Sequence, residues 1–447
     1  MSRNPWINTP ADRDTTAVCK MIGTEMYAWA RDLWPINRSL TGPGVRETLA
    51  YLRNWLPGLT VHEVASGTQA FDWTVPDEWT IRDAYVADEA GNRVVDFKKH
   101  NLHLVSYSEP VDIWLDREEM DKHLHSLPDQ PDAIPYVTSY YERRWGFCLT
   151  DTQRRALPSG RYHAVVDSDL KPGVLNYGEL ILPGREDREV LLSTYMCHPS
   201  LANNELSGPV VTAALARWLQ NLDDRRYTYR IVFVPETIGS IVYLSKHAEH
   251  MKQKTVAGFV ITCVGDDRGY SFLPSRRGGT LADRVAEHVL KRHVAEYVRY
   301  SFLERGSDER QYCSPTLDLP VVSVMRTKYG AYPEYHTSLD DLSLISPTGL
   351  EGAYNVLRRC LAALEVNYRY RVTTACEPQL GKRGLYPTLG TKKSSDQVQS
   401  MMNLLAYADG MTGLLEIAEI INADVMECAG IAARLKEHGL LVNVEPG

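Results

Sequence analysis

The stretch Leu191–Gly208, LLSTYMCHPSLANNELSG, decides the fold of this chain. It lies within a larger pattern that begins with a β-rich run at Glu189–Tyr195, short enough to be a buried strand. The apolar run ends at Cys197-His198-Pro199, and a helical pattern opens at Gly208-Pro209. The sequence therefore predicts a strand, a loop and a helix. In an open α/β sheet such a loop lies at the carboxyl edge of the strands, where ligands bind.

Three further strand-like runs lead to an acid or an imidazole. They are Tyr229–Val234 before Glu236, Ala257–Val264 before Asp266-Asp267, and Val321–Met325, which leads on to His336. Two histidines with a glutamate and an aspartate at strand ends suit a hydrolytic zinc site, because zinc takes nitrogen and oxygen ligands and keeps one position for water. The recurrence at four strand ends indicates one site, whereas each residue alone would be an ordinary solvated loop residue.

These residues also carry a resemblance. The order His198, ANNELSG, Glu236, Asp266-Asp267 and Tyr335-His336 with Asp340 resembles the co-catalytic zinc aminopeptidases of the leucyl-aminopeptidase and glutamate-carboxypeptidase type. The longer segments CHPSLANNELSGP, PETIGS, CVGDDRGYSFLPSR, GSDERQYCSP and PEYHTSLDDL resemble a bacterial family with an aminopeptidase-like domain. That second resemblance covers nearly the whole chain.

The resemblance implies a metal-dependent hydrolase that cleaves an amide bond in a small peptide or an aminoacyl metabolite. The implied metal ligands are His198, Glu236, Asp266 or Asp267, and His336, with Glu205 as a candidate bridging ligand. Glu236 and Glu205 are the candidate catalytic carboxylates. Tyr335 is a candidate substrate contact, and Arg276, Arg310 and Arg326 are candidate clamps for a substrate carboxylate.

Two departures from the zinc aminopeptidase pattern bear on the metal count. Asn204 stands where those enzymes have a bridging aspartate, and an amide cannot bridge two cations as a carboxylate does. Thr237 stands where their second glutamate is a ligand, so Glu236 is either the general base or a ligand. Either Glu205 bridges, or the site holds one metal, or it holds none; we expect one zinc ion rather than two. The alternative function is a non-catalytic binding or scaffold protein with a degenerate metal site.

The predicted fold is α/β, a zinc-aminopeptidase-like three-layer mixed sheet with an inserted β subdomain and a C-terminal winged helix. Residues 15–66 and 176–372 are predicted to form the aminopeptidase-like domain. Residues 67–175, with short strands and many aromatic side chains, are predicted to form the inserted subdomain over the mouth of the site. Residues 394–447 show three helical patterns and a short strand, which is typical of a winged helix.

Composition limits the partners and the compartment. The chain has 447 residues, 44% of them hydrophobic, with a net charge of −8 that is spread along the sequence. No apolar signal core is visible in the first 14 residues, no run reaches the ~20 apolar residues of a membrane span, and the eight cysteines form no CxxC pair. We therefore expect a cytoplasmic protein without a membrane partner, with a small-molecule or peptide substrate, assembled as a homo-oligomer.

The charge of the C-terminal module bears on nucleic-acid binding. From Asp396 to the C-terminus there are eight acidic residues and two basic ones, Arg434 and Lys436. Because phosphate neutralisation supplies most non-specific affinity for DNA, this count predicts no nucleic-acid partner and favours a role in dimerisation or as a lid.

Overall fold

The computed structural model describes residues 15–385 and 392–444; side chains are described from residue 21 to residue 385 and from residue 398 to residue 444. The first 14 residues, for which we predict no export signal, and the last three of the predicted C-terminal module lie outside the described residues. Within the described ranges, no helix combines the length and the apolar character needed to cross a bilayer.

Helices and strands alternate along much of the described chain. In chain order, the helices are α1 (Thr15–Leu33), α2 (Pro43–Arg53), α3 (Arg117–Asp121), α4 (Asp151–Ala156), α5 (Ser207–Gln220), α6 (Ile238–Lys254), α7 (Leu281–His293), α8 (Glu309–Tyr312), α9 (Pro347–Val366), α10 (Lys392–Tyr407), α11 (Leu414–Ile420) and α12 (Val425–Glu437). The strands are β1 (Thr60–Ala65), β2 (Gln69–Ala70), β3 (Trp73–Thr74), β4 (Glu78–Ala87), β5 (Arg93–Asp96), β6 (Val111–Asp116), β7 (Leu124–His125), β8 (Phe147–Cys148), β9 (Arg161–Lys171), β10 (Val174–Leu182), β11 (Glu189–Tyr195), β12 (Thr228–Val234), β13 (Thr255–Val260), β14 (Ser271–Leu273), β15 (Val298–Arg299), β16 (Val321–Met325), β17 (Arg369–Val372), β18 (Asp409–Gly413) and β19 (Leu441–Val444).

The main sheet has eight strands in the order β1-β10-β12-β11-β13-β16-β14-β15. Its centre is parallel, since β11 pairs in parallel with β12 and with β13, and β13 pairs in parallel with β16. Every residue of β11 is buried, as expected for a strand covered on both faces. One face packs against α1, α5, α7 and α9, and the other packs against α6 and the inserted subdomain. The predicted three-layer mixed sheet is confirmed.

The inserted subdomain is a second sheet of four strands in the order β5-β4-β9-β6. The turn Asp88–Asn92 joins β4 to β5, and the Asp88 backbone N–H donates to the Asn92 carbonyl at 3.0 Å. The chain leaves the main sheet after β1 and returns to it at β10, so the second sheet is a continuous excursion from the first.

The C-terminal unit combines α10, α11 and α12 with a three-stranded sheet in the order β18-β17-β19. Its central strand, β17, comes from Arg369–Val372, which the sequence pattern placed in the aminopeptidase-like domain. Pairing between strands so far apart along the chain leaves no local signal in the sequence. The predicted end of the aminopeptidase-like domain, residue 372, therefore lies after β17 rather than before it.

The position of this boundary changes the charge argument. Residues 368–443 contain eight acidic and eight basic residues, because the segment before residue 394 adds Arg369, Arg371 and four further bases. Two of the acids also have partners on α7: Glu419 pairs with Arg284 at 3.0 Å, and Asp424 lies 2.9 Å from His293. The predicted absence of a nucleic-acid partner therefore loses its electrostatic basis.

A buried histidine links the two units. Nε2 of His288 on α7 accepts a hydrogen bond from the Val425 backbone N–H at 3.1 Å, and this requires a neutral ring. Burial, reinforced by the positive charges of Arg292, His293 and Lys291 and opposed by Asp424, lowers the pKa of His288 to about 4.

Acid is therefore expected to destabilise the contact at His288. The unfolded chain binds a proton there near pH 6.5 and the folded chain only near pH 4, so stability falls as the pH drops through this window, by roughly 1–2 kcal/mol. His288→Gln keeps an acceptor but does not titrate, so it should flatten this part of the profile. Urea unfolding of both proteins from about pH 7 to about pH 4.5 measures the effect; equal slopes would contradict it.

Candidate functional site

The loop after β11 carries His198 into a buried turn. Residues Ala202–Leu206 form one turn of π-helix, and Asp340 holds it from the opposite side. The Asp340 carboxylate accepts hydrogen bonds from the backbone N–H groups of Asn203, at 2.6 Å, and Asn204, at 3.1 Å. The segment PEYHTSLDDL therefore fixes the shape of the His198 loop as well as supplying His336.

The two ring nitrogens of His198 face two different carboxylates. Nδ1 is in ion-pair contact with Glu205 Oε1, and Nε2 lies 3.7 Å from Glu236 Oε2. The other Glu205 oxygen accepts the Cys197 backbone N–H at 2.6 Å. Burial opposes protonation of His198, but the neighbouring Cys197 and Glu205 hold its pKa well above the usual range. Glu205 thus orients the ring so that Nε2 points toward Glu236.

Glu236 is held by a strained turn. The Ile238 N–H donates to the Glu236 carbonyl at 2.8 Å, so that Thr237 forms a γ-turn with φ of +64°, a conformation that β-branched residues rarely adopt. Asp308 accepts the Thr237 N–H at 2.7 Å, and Ser307 Oγ donates to Glu236 Oε1 at 2.9 Å. Burial raises the pKa of Glu236 above its ordinary value. The segment GSDER therefore positions Glu236.

His336 completes the cluster. Its ring lies 5.4 Å from that of His198, measured between centroids, and stacks on Tyr335 at 3.9 Å. Its φ is +58°, and its Nε2 is buried without a hydrogen-bond partner among the described residues. Burial and the nearby His198 lower the pKa of His336 to about 3, so the ring is neutral and able to bind a cation. Backbone strain at both Thr237 and His336 is typical of functional sites.

The inserted subdomain closes the site with a strap formed by residues 134–140. The Tyr136 N–H donates to the His336 carbonyl at 2.9 Å, and the Ser338 N–H donates to the Ile134 carbonyl at 2.8 Å. The Tyr136 ring lies 4.6 Å from the His198 ring and 5.2 Å from the His336 ring, and its hydroxyl hydrogen-bonds to that of Tyr140. The cluster is therefore shielded from water.

Two sets of donor atoms meet at His198, one at each ring nitrogen. Ligand atoms of Cys197, His198 and Glu205 all lie within 4.8 Å of one another and are buried, the one such group among the described residues. On the side of the other ring nitrogen, Glu236 Oε2 lies 3.7 Å from His198 Nε2, and the His336 ring, with its unpartnered Nε2, lies 5.4 Å from the His198 ring. These are the donor types of catalytic zinc sites, although their ligand atoms do not form a group as close as the first one.

The remaining candidate ligands lie elsewhere. The Asp266 carboxylate accepts four hydrogen bonds, from the Asn203 side chain, the Arg268 N–H and both the N–H and the hydroxyl of Thr327. Asp267 accepts the Ser346 hydroxyl on an exposed edge. The structure brings His198, Glu205, Glu236 and His336 together; Asp266 adjoins the loop without a free lone pair, and Asp267 is separate.

The candidate substrate contacts divide in the same way. Arg310 lies at the site, donating to Thr237 Oγ1 and to the Ser307 carbonyl, each at 3.0 Å. Tyr335 lies at the site through its stacking on His336. Arg276 pairs with Asp318 at 2.6 Å, and Arg326 donates to the Asp266 carbonyl at 2.7 Å, so the structure does not bring either guanidinium into the cluster.

Several residues of the site were not predicted from the sequence. Tyr136 and Ser307 contact the cluster, and Arg38, fully buried, donates to the Leu33 carbonyl at 2.8 Å and to the His198 carbonyl at 3.5 Å. Burial lowers the pKa of Arg38 to about 10, opposed by the charge of Glu205, which it balances. The segment GSDER, which contains Ser307, was visible in the sequence, but no strand end marks Tyr136.

Solved structures share the fold of this chain. A zinc aminopeptidase from Bacillus subtilis superposes with a TM-score of 0.57 at 10% identity, over 76% of this chain and 94% of that chain, and this likeness concerns the fold. A crystal structure of a Clostridium acetobutylicum protein described as a peptidase superposes with a TM-score of 0.90 at 40% identity, over 95% of this chain and 97% of that one.

Comparisons of the sequence identify related proteins and families. A C. acetobutylicum protein described as a polysaccharide biosynthesis protein with an aminopeptidase-like domain is 43% identical over 399 residues, which is 89% of this chain and 91% of that protein. A winged helix-turn-helix family model matches residues 368–443, which confirms the predicted module. A second model, described as a domain of unknown function (DUF4910), matches residues 27–367. The chain therefore belongs to the DUF4910 family, with an aminopeptidase-like domain followed by a winged helix.

Proposed function

We propose that this protein is a zinc-dependent hydrolase that holds one metal ion and cleaves an amide bond in a small peptide or an aminoacyl-type metabolite. The observation that carries the proposal is the buried, unpartnered Nε2 of His336, whose ring lies 5.4 Å from that of His198. An orphaned polar atom in a buried site is costly, and a metal ligand is the role that removes the cost. The relative named for polysaccharide biosynthesis supports a substrate from that pathway class.

In this proposal each residue has a distinct task. Zinc, held by His198, His336 and Glu236, would polarise the scissile carbonyl and supply a water with a pKa near ~7. With a cation bound at Nε2, Glu205 would hold the remaining ring proton of His198 on Nδ1. Ser307 fixes Glu236, and the strap excludes bulk water, which strengthens the electrostatic interactions inside.

A binding or scaffold protein is the second candidate function. It is favoured by Asn204 and Thr237, which replace two ligands of the two-metal enzymes, and by the saturated carboxylate of Asp266. Such a protein would retain the pocket without turnover.

Hydrolysis separates the two functions. We expect zinc-loaded protein to release amine from a panel of aminoacyl amides and dipeptides, and His336→Ala to lower the rate by about 100-fold or more, since metal-assisted polarisation is worth several kcal/mol. His438→Ala, at an exposed histidine of the C-terminal unit, is the matched control. Folded, zinc-loaded protein that cleaves no member of the panel would favour the binding function.

A further inference from the structure

A cavity is lined by parts of the helices that follow Glu236 and Ser307. It has a volume of about 240 Å³ and lies between the hairpin of β2 and β3, helix α6 and the short helix α8. Its apolar wall includes Phe71, Trp73, Ile241, Leu244 and Leu317. Pockets for drug-sized ligands run to roughly 300–1,000 Å³, so this space suits a single ring.

The segments around the cavity are those that build the site. Glu236 lies two residues before α6, and Ser307, its hydrogen-bond partner, lies two residues before α8. On the hairpin side, Trp73 makes an edge-to-face contact with Tyr141 at 5.5 Å, and Tyr141 follows Tyr140 of the strap. A substrate that follows these segments outward from Glu236 would reach the cavity with its next group.

The hairpin presents its aromatic rings at a conformational cost. Phe71 and Asp72 form a two-residue turn between the paired residues Ala70 and Trp73, and Phe71 has φ of +53°, at the first turn position, where glycine is favoured. The Phe71 side chain is 57% exposed and that of Trp73 is 37% exposed. A bulky residue held in this backbone region with an exposed ring is typical of a functional surface rather than of core packing.

The rim of the cavity is polar and open to water. Its four polar side chains are Asp72, Gln311, Ser314 and Thr316, and none of them hydrogen-bonds to another group within the described ranges 15–385 and 392–444. An apolar peptide side chain in this cavity would cover these groups without giving them partners, which is costly. A sugar ring offers an apolar C–H face to aromatic walls and hydroxyl groups to a polar rim.

We propose that the cavity lined by Phe71, Trp73 and Gln311 is a subsite for a pyranose ring, so that the amide cleaved at the neighbouring site belongs to a sugar-containing substrate. This inference rests on the proposed function for the reaction, but the binding of the sugar does not require a metal. Chelator-treated protein can therefore test the subsite independently of hydrolysis.

The test is saturation-transfer NMR and titration of metal-free protein with the methyl glycosides of glucose, galactose and N-acetylglucosamine, with N-acetyl-L-leucinamide as the peptide-like comparator. We expect at least one glycoside to bind and the leucinamide not to bind. Trp73→Ala should weaken the binding about tenfold or more, whereas Trp114→Ala, at an exposed tryptophan of β6 stacked on His163, should change it less than about twofold.

Phe71→Gly is a second variant, and it tests the cavity even if Trp73→Ala disturbs the folding of the protein. Glycine accepts the positive φ, so the thermal midpoint should be unchanged or higher, while glycoside binding weakens. Binding of no glycoside, preference for the leucinamide, or equal affinity in wild type, Trp73→Ala and Phe71→Gly would overturn the subsite. Glycoside binding without any amide hydrolysis would leave the subsite standing and contradict the proposed reaction.

Discussion

Glu236→Gln is expected to weaken zinc binding by about 100-fold or more. In the proposed site Glu236 is the one anionic ligand, with its Oε2 3.7 Å from His198 Nε2, and glutamine preserves its size and its hydrogen bond from Ser307 while removing the charge. Loss of a carboxylate ligand should cost at least as much affinity as the roughly 10–100-fold typical of outer partners. The measurement is metal content after dialysis against graded zinc buffers, together with the rate on any amide that the wild type cleaves.

A control variant and the alternative role of Glu236 as general base give different results in the same measurement. Glu249→Gln, at an exposed position on α6, should leave metal content unchanged. If Glu236→Gln retains full metal but loses turnover by about 10²–10⁴-fold, Glu236 is the general base and not a ligand. Retention of both metal and activity would show that it has neither role.

Glu205→Gln is expected to leave the stoichiometry at one zinc and to weaken the affinity by about 10–100-fold, the usual cost of removing a carboxylate that orients a ligating histidine. The reason is geometric: one Glu205 oxygen accepts the Cys197 N–H and the other contacts His198 Nδ1, so the carboxylate supports a ligand. Glutamine can keep the first contact or accept at the second, but cannot do both with the same oxygen.

The same variant tests the bridging model. Zinc aminopeptidases have a bridging aspartate at the position of Asn204. If Glu205 bridged two ions instead, wild-type protein would hold two metals and Glu205→Gln would hold fewer. Two metals retained in both proteins would contradict the one-metal account and the bridging account alike. Metal content and circular dichroism on the same samples distinguish loss of a ligand from loss of fold.

Much of the fold was predictable because its signals are local. The strand Glu189–Tyr195 and the strand Val321–Met325 were predicted with the bounds that the structure shows, since both are short apolar runs with clear ends. The strand before Asp266 was predicted to reach Val264 but ends at Val260, because the chain leaves the sheet there to form the loop that carries Asp266.

The sequence predicted which residues belong to the candidate site better than it predicted how they are arranged. Sequence places an acid at a strand end but does not say which way its side chain points, and the Asp266 carboxylate turns toward Asn203 and Thr327. Tyr136 could not be found, because it reaches the cluster through pairing between residues 135 and 337, which are far apart along the chain. Glu205 was visible, but its contact with His198 depends on the π-helical turn.

The central claim, a single zinc held by His198, Glu236 and His336, is tested most directly by the metal content of protein purified without chelator from zinc-supplemented medium. The account predicts one zinc per chain in the wild type and much less than one in His336→Ala, with both proteins folded. A folded wild-type protein with no bound zinc, or one that binds zinc equally well after His336→Ala, would contradict it.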